Sequence, residues 1–183
     1  MNKKGHVLNG VLLAIGLGYV LEPAGDIETF RTIGMTLVPV TLGALFPDID
    51  TEFGRHRKTF HSLTVLAVFA FYPIYFDNLH YVWVGVVSHY VLDMVGSKRG
   101  IALFHPFWDE EFGLPFGVKT SSSYADAVTL VVTGLELAVV AVFVHVAPGL
   151  VQRLTAALPF SPGVGNQPTS AVIGWLVGLP LTF

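Results

Sequence analysis

The chain contains no cysteine. Disulfides and thiolate-held zinc or iron–sulfur centres are therefore excluded, and any metal must be bound through His, Asp or Glu. Charge is scarce as well. Charged residues make up 13% of the sequence, against about a quarter in a soluble domain. The formal net charge of −3 with His neutral offers no basic field for a polyanion, so no nucleic-acid partner is expected. No small-x-small cleavage site follows Lys3-Lys4 before Glu22-Pro23, so the first apolar stretch reads as retained rather than as a secretory signal. What the chain has instead is apolar surface. Hydrophobic residues make up 52% of its 183 residues, and the mean hydropathy is +0.63.

Five apolar stretches stand out, at about 5–21, 30–46, 62–76, 79–95 and 124–147. A helix rises about 1.5 Å per residue, so crossing a ~30 Å hydrocarbon core takes roughly 20 residues, with ~17 as the lower limit. The fifth stretch clears this easily. The first, second and fourth are marginal and the third is short, which suggests helices that support one another or end in a polar pocket. No polar stripe recurs at the helical period, which disfavours a soluble apolar core. The expected architecture is all-α, a polytopic membrane helix bundle with about five transmembrane helices over 1–148. A Pro- and Gly-rich apolar tail follows at 149–183, and its last piece, 171–183, is too short and Pro-broken to read as a span. Between the stretches, Pro47 is expected to end the second helix. Asp77-Asn78 makes a tight hairpin, and Ser123-x-x-Asp126 reads as a capping box opening the fifth helix.

Orientation follows from the basic residues. With the N-terminus in the cytoplasm, Lys3, Lys4, Arg55, Arg57, Lys58, Lys98, Arg99 and Lys119 all fall inside. Only Arg31 and Arg153 fall outside. The expected location is a cell membrane, crossed several times.

The ionisable residues then gather on the inner face. His6 opens the first helix, Asp48 and Asp50 follow the second, His61 opens the third, and His89 and Asp93 lie near the end of the fourth. His105 follows in the next loop, whereas His80 and His145 lie toward the other side and read as structural. His89 and Asp93 are four residues apart, so both leave the same helix face, among Val86, Val87, Val91 and Leu92. An ionisable group inside a membrane costs on the order of 2.5–3.5 kcal/mol unless it is paired. A shared cation offsets that cost for several groups at once, and a neutral imidazole with a carboxylate suits zinc and related ions. Taken singly, each residue has a plainer reading. Asp48 and Asp50 fit a Pro-Asp turn, His6 an interfacial position, His61 a cap neighbour, and His89 with Asp93 a hydrogen-bonded pair. Their convergence is what favours a metal.

Four motifs in order carry a family likeness: Gly5-His6-Val7-Leu8, Leu45-Phe46-Pro47-Asp48-Ile49-Asp50, His56-Arg57-Lys58-Thr59-Phe60-His61-Ser62-Leu63, and Gly85-Val86-Val87-Ser88-His89-Tyr90-Val91-Leu92-Asp93. Phe104-His105-Pro106-Phe107 follows at a distance. Over about 1–117 the chain resembles the LexA-binding, inner-membrane-associated hydrolase family, a group of membrane-bound metal-dependent hydrolases. The resemblance implies an inner-membrane location, metal dependence and hydrolase activity. It places the family's polar positions on His6, Asp48, Asp50, His56, Arg57, His61, His89 and Asp93. The chain departs from the family in having Phe60 where Thr is common and His105 where Trp is common.

The chemistry expected of these residues is metal-assisted hydrolysis. One or two divalent ions, zinc or manganese, would be held by His6, Asp48, Asp50, His61, His89 and Asp93. Such an ion lowers the pKa of its water to roughly 7 and polarises a phosphoryl or acyl oxygen. Six ligands exceed the three usual for a catalytic zinc, so Asp50 is the candidate general base if a carboxylate stays free. Arg57, with Arg55 and Lys58 nearby, would hold an anionic head group, unless that cluster only marks the cytoplasmic side. A site at head-group depth points to membrane lipid or a lipid-linked phosphoester or ester as substrate. Ser62 and Ser88 each neighbour a His in sequence, but helix neighbours point apart, so neither forms a Ser–His nucleophile. Two other readings stand beside the hydrolase: a non-catalytic membrane regulator or binding protein, and a metal-ion transporter. Ligands crowded at one face argue against the transporter.

Overall fold

The computed structural model describes residues 2–149 except 116 and 120. The expected tail, and Arg153 with it, lies outside the described residues. The fold is all-helical, with α1 Lys3–Leu21, α2 Ile27–Leu45, the short α3 Asp50–Phe53, α4 Leu63–Phe76, α5 Val82–Val95 and α6 Ala125–His145.

Local chemistry sets the helix ends. Asn2 caps α1 by accepting from the Gly5 N–H at 2.8 Å. Asp26 caps α2 by accepting from Glu28 and Thr29, and Ser62 caps α4. Asp77 closes α4 in the left-handed region with φ 51°, so the expected hairpin at Asp77-Asn78 is present. As expected, α2 ends at Leu45, just before Pro47. Pro47 then sits at the start of a 3-10 turn, Phe46–Ile49, where a missing N–H costs nothing, and the turn runs on into α3. One local expectation is corrected: Ser123 does not cap the last helix. Tyr124 holds that position without a side-chain bond, and Asp126 turns away to pair with Lys4 of α1 at 3.2 Å.

That pair ties the starts of α1 and α6, and at the far ends His145 donates to the Val20 carbonyl at 2.8 Å. The two helices therefore run side by side in the same direction. Antiparallel to α1 lies α2, with Thr36 bonded to the Ala14 carbonyl at 3.2 Å. A small-residue contact joins α2 to α5. A Cβ on Gly43 would strike the Val82 carbonyl, and one on Gly85 would strike the Val40 carbonyl, so the two backbones touch. The outer face of α6 exposes Leu130, Val131, Leu135, Val139, Val142 and Phe143. No polar group interrupts it, as lipid contact requires.

Among the described residues, three helical segments are long and apolar enough to cross a membrane: Lys3–Leu21, Ile27–Phe53 and Ala125–Gly149. Helices α4 and α5 have 14 residues each, which gives roughly 21 Å, less than a hydrocarbon core. Their connecting turn packs against the side of α2. Leu79, His80 and Tyr81 line a groove there with Met35, Val38 and Leu42. The shortness of the third and fourth stretches, visible in the sequence, thus corresponds to a helical hairpin supported by its neighbours.

Candidate metal centre

The alternating helix directions bring the start of α1, the end of α2, the start of α4 and the end of α5 together. His6, His61 and His89 are fully buried, Asp93 is 1% exposed and Asp48 6%. The His6 and His89 rings stack with centroids 3.7 Å apart and planes 13° from parallel. His61 meets the His89 ring edge-on at 4.9 Å. Asp93 sits among the rings. Its Oδ1 is 3.4 Å from His6 Nε2, and its Oδ2 is 3.7 Å from His61 Nε2 and 3.8 Å from His89 Nε2. On the other side, Asp48 Oδ1 is 3.8 Å from His89 Nε2. Two overlapping sets, His6–His89–Asp93 and Asp48–His61–His89, are each compact enough to share an ion.

The hydrogen bonds fix which ring nitrogens face inward. The Ala44 carbonyl can only accept, so His89 Nδ1 must donate to it, at 2.6 Å. His61 Nδ1 likewise donates to Asp50 Oδ2, at 2.9 Å. Both Nε2 atoms are then left with lone pairs, yet they lie 3.0 Å apart. Two lone pairs at that distance repel unless a positive charge, a metal ion or an extra proton, lies between them. Neither nitrogen of the buried His6 ring makes a hydrogen bond, although such groups are normally satisfied. Charge points the same way. Asp48, Asp50 and Asp93 are buried together, and Arg57 is the buried cation beside them. With neutral imidazoles an excess of two negative charges remains, which suits a divalent ion. Ligands about 2.0–2.2 Å from one tetrahedral zinc lie roughly 3.3–3.6 Å apart, a range that the spacings here bracket. His and carboxylate donors therefore fit a divalent metal.

Two expected roles change. Asp50 belongs to neither ion-sharing set. Its Oδ2 accepts from His61 and, at 3.1 Å, from the Arg57 backbone N–H, and its Oδ1 accepts from His56 Nδ1 at 2.9 Å. A carboxylate so occupied orients His61 rather than binding an ion. Arg57 does not reach outward for a head group. It adopts φ 67°, and its guanidinium donates to Ser97 Oγ at 3.0 Å and the Gly100 carbonyl at 3.2 Å, and also to the Arg99 carbonyl. Its Nη2 is 3.5 Å from Asp93 Oδ1. Arg57 therefore neutralises Asp93 and anchors the 97–100 segment. The exposed Arg55 and the half-buried Lys58 approach Asp109 instead, at 3.9 and 3.6 Å.

His105 is apart from the cluster and pairs with Asp109 at 2.7 Å. That imidazole and the nearby Lys58 hold the Asp109 carboxyl below its usual range. Ser62 and Ser88 make no bond to a histidine. Sequence reasoning missed Asn9, Ser88, Thr133 and Glu136, which form a second buried polar cluster. The available signal was Glu136, the acid inside the fifth apolar stretch.

The model of the YdjM inner membrane protein family matches residues 1–160. The chain belongs to the YdjM inner membrane protein family. This supports the inner membrane as its location, and the three span-length helices agree. The family description names neither hydrolysis nor LexA. No curated protein and no solved structure matches the chain.

Proposed function

We propose that this chain is a membrane-embedded, metal-dependent hydrolase acting on an ester or phosphoester of an amphiphilic, lipid-like substrate, with its N-terminus in the cytoplasm. The observation that carries the reading is the pair of inward-facing His61 and His89 Nε2 atoms, 3.0 Å apart, which have no hydrogen between them while both imidazoles are neutral. His89 has one free nitrogen because Ala44 holds the other. It therefore serves one ion, and both ligand sets contain it. The reading is one divalent ion, zinc or manganese, held by His6, His61, His89 and Asp93 with Asp48 at the edge. Bound there, it would supply a water of lowered pKa and polarise the substrate's carbonyl or phosphoryl oxygen. Orientation rests on the basic loops flanking the site.

The chain's own residues hold the ligand shell in place. His56 is 40% exposed and shares Asp50 with the buried His61. Asp50 accepts from both rings, so His56 steadies the carboxylate that orients His61. His56→Ala is expected to lower turnover about 10–100-fold while metal content stays at the wild-type level. Equal loss of both would make His56 structural.

A second reading is favoured by burial. Structural metal sites are closed, whereas catalytic ones keep an open position, and here every histidine of the set is fully buried. The chain would then be a metal-stabilised membrane binding protein. Metal analysis of protein purified without chelator, with phosphoesterase and lipase assays in detergent, separates the two. Bound metal with hydrolysis that Asp93→Asn abolishes supports the enzyme. Bound metal without hydrolysis supports the binding protein, and no metal sinks both.

A further inference from the structure

Below the histidines, α1, α5 and α6 meet at a second buried polar cluster. Asn9 is fully buried, and Ser88 and Thr133 are each 3% exposed. Asn9 Nδ2 donates to Thr133 Oγ1 and to Glu136 Oε2, both at 3.0 Å. Ser88 Oγ is bonded to Asn9 Oδ1 and lies 3.1 Å from Glu136 Oε2. Thr133 spends its own hydrogen on the Thr129 carbonyl at 2.8 Å.

These contacts do not balance. A hydroxyl donates one hydrogen. Ser88 faces two oxygens, Asn9 Oδ1 and Glu136 Oε2, and if both were acceptors only, one contact would have no hydrogen. Turning the Asn9 amide over does not help. Ser88 would then donate to Glu136, but Asn9 Oδ1 would face Glu136 Oε2 at 3.0 Å, again oxygen against oxygen. In both arrangements the missing hydrogen sits on the Glu136 carboxyl. We infer that Glu136 carries a proton, so that the interhelical cluster of Asn9, Ser88, Thr133 and Glu136 is a proton-binding site inside the membrane, separate from the histidine centre.

The surroundings agree. Among the described residues no Lys, Arg or His side chain pairs with Glu136. Of the ionisable groups on the helices around it, His6 on α1 and His89 and Asp93 on α5 face one another in the histidine cluster, Lys4 on α1 and Asp126 on α6 pair at the helix starts, Tyr90 on α5 donates to the Phe60 carbonyl, His145 on α6 bonds the Val20 carbonyl, and Lys3 and Tyr19 are exposed near the two ends of α1. Glu136 Oε1 is buried and accepts no hydrogen bond. A carbonyl oxygen of a neutral acid tolerates that far better than half of a carboxylate does. The proton joins three helices: Glu136 of α6 donates to Ser88 of α5, and Ser88 donates to Asn9 of α1. Its loss would leave facing oxygens in an apolar layer and drive α6 from α5.

Infrared spectroscopy of the full chain in liposomes at neutral pH tests this. The wild type should show a carboxylic-acid C=O stretch that shifts in D2O and disappears in Glu136→Gln. Asp126→Asn, altering an exposed carboxylate, should leave the band unchanged. Ser88→Ala should move it, because the acid loses its acceptor. Three results would each overturn the assignment: no acid band separating wild type from Glu136→Gln, a band unmoved by Ser88→Ala, or a band abolished by sodium at constant pH, which would make the site one for a metal cation. Glu136→Gln keeps the side-chain shape and always carries N–H donors, so it can fill the role of the protonated acid. Metal content measured on the same sample reads the histidine centre independently.

Discussion

Replacing His89 with alanine should strip the divalent metal from the purified protein. Wild-type protein prepared without chelator is expected to hold roughly one ion per chain, and His89→Ala almost none. His89 belongs to both ion-sharing sets, so neither can be completed without it. Asp50→Asn tests the layer behind. It keeps the side-chain volume but weakens the acceptor that holds His61 Nδ1. Loss of such an outer partner costs about 10–100-fold in metal affinity, less than loss of a ligand. His145→Ala is the control, since that ring bonds the Val20 carbonyl at the opposite end, and its metal content should equal the wild type's. Wild-type metal in His89→Ala would place the ion outside both sets, and wild-type protein without metal would make the cluster a hydrogen-bonded knot with a proton between His61 and His89. Elemental analysis of matched samples decides.

The parts of this site that were legible in the sequence are those that depend on helix geometry alone. The four-residue spacing of His89 and Asp93 places both on one helix face, and counting spans puts His6, Asp48 and His61 at the same end of the bundle. Nothing local distinguishes Asp50 from Asp48, so the sequence alone puts both among the ligands. The difference arises from a loop. Asp50 to His61 crosses eleven positions, and the path turns at Arg57, where a left-handed backbone aims the N–H at Asp50. No periodicity encodes that turn. Arg57 reads as a head-group ligand for a related reason: positive-inside counting treats a basic loop residue as exposed, whereas this one is buried against carbonyls of the 97–100 segment. The expected capping box is absent because the helix opens one residue later, with Tyr124 at the cap, and Asp126 lies beside Lys4, 122 residues away, a contact that no local pattern encodes.

The bundle's fold and its site are joined most tightly where α2 and α5 touch, and Gly85→Val is expected to break both. A Cβ at Gly85 would collide with the Val40 carbonyl and lie 2.6 Å from Ala44 N and 2.9 Å from Gly43 C. All three are backbone atoms, which cannot rotate away, so α5 must move. Overpacking of this kind costs about 1–3 kcal/mol, occasionally more. The consequence reaches the metal centre through one residue. Ala44, pressed against Gly85, is also the acceptor that orients His89 Nδ1, so displacing α5 turns Nε2 away from Asp48 and His61. Gly85→Val should therefore lower both thermal stability in detergent and metal content, although valine touches no ligand. Gly134→Val is the matched comparison. It places the same β-branched residue in α6, where a Cβ meets nothing within 4 Å, so it carries the propensity cost without the collision. Equal melting temperatures and equal metal content in the two variants would refute the close α2–α5 approach. A large loss at Gly85 alone would show that the glycine holds His89 in place at a distance of one helical turn.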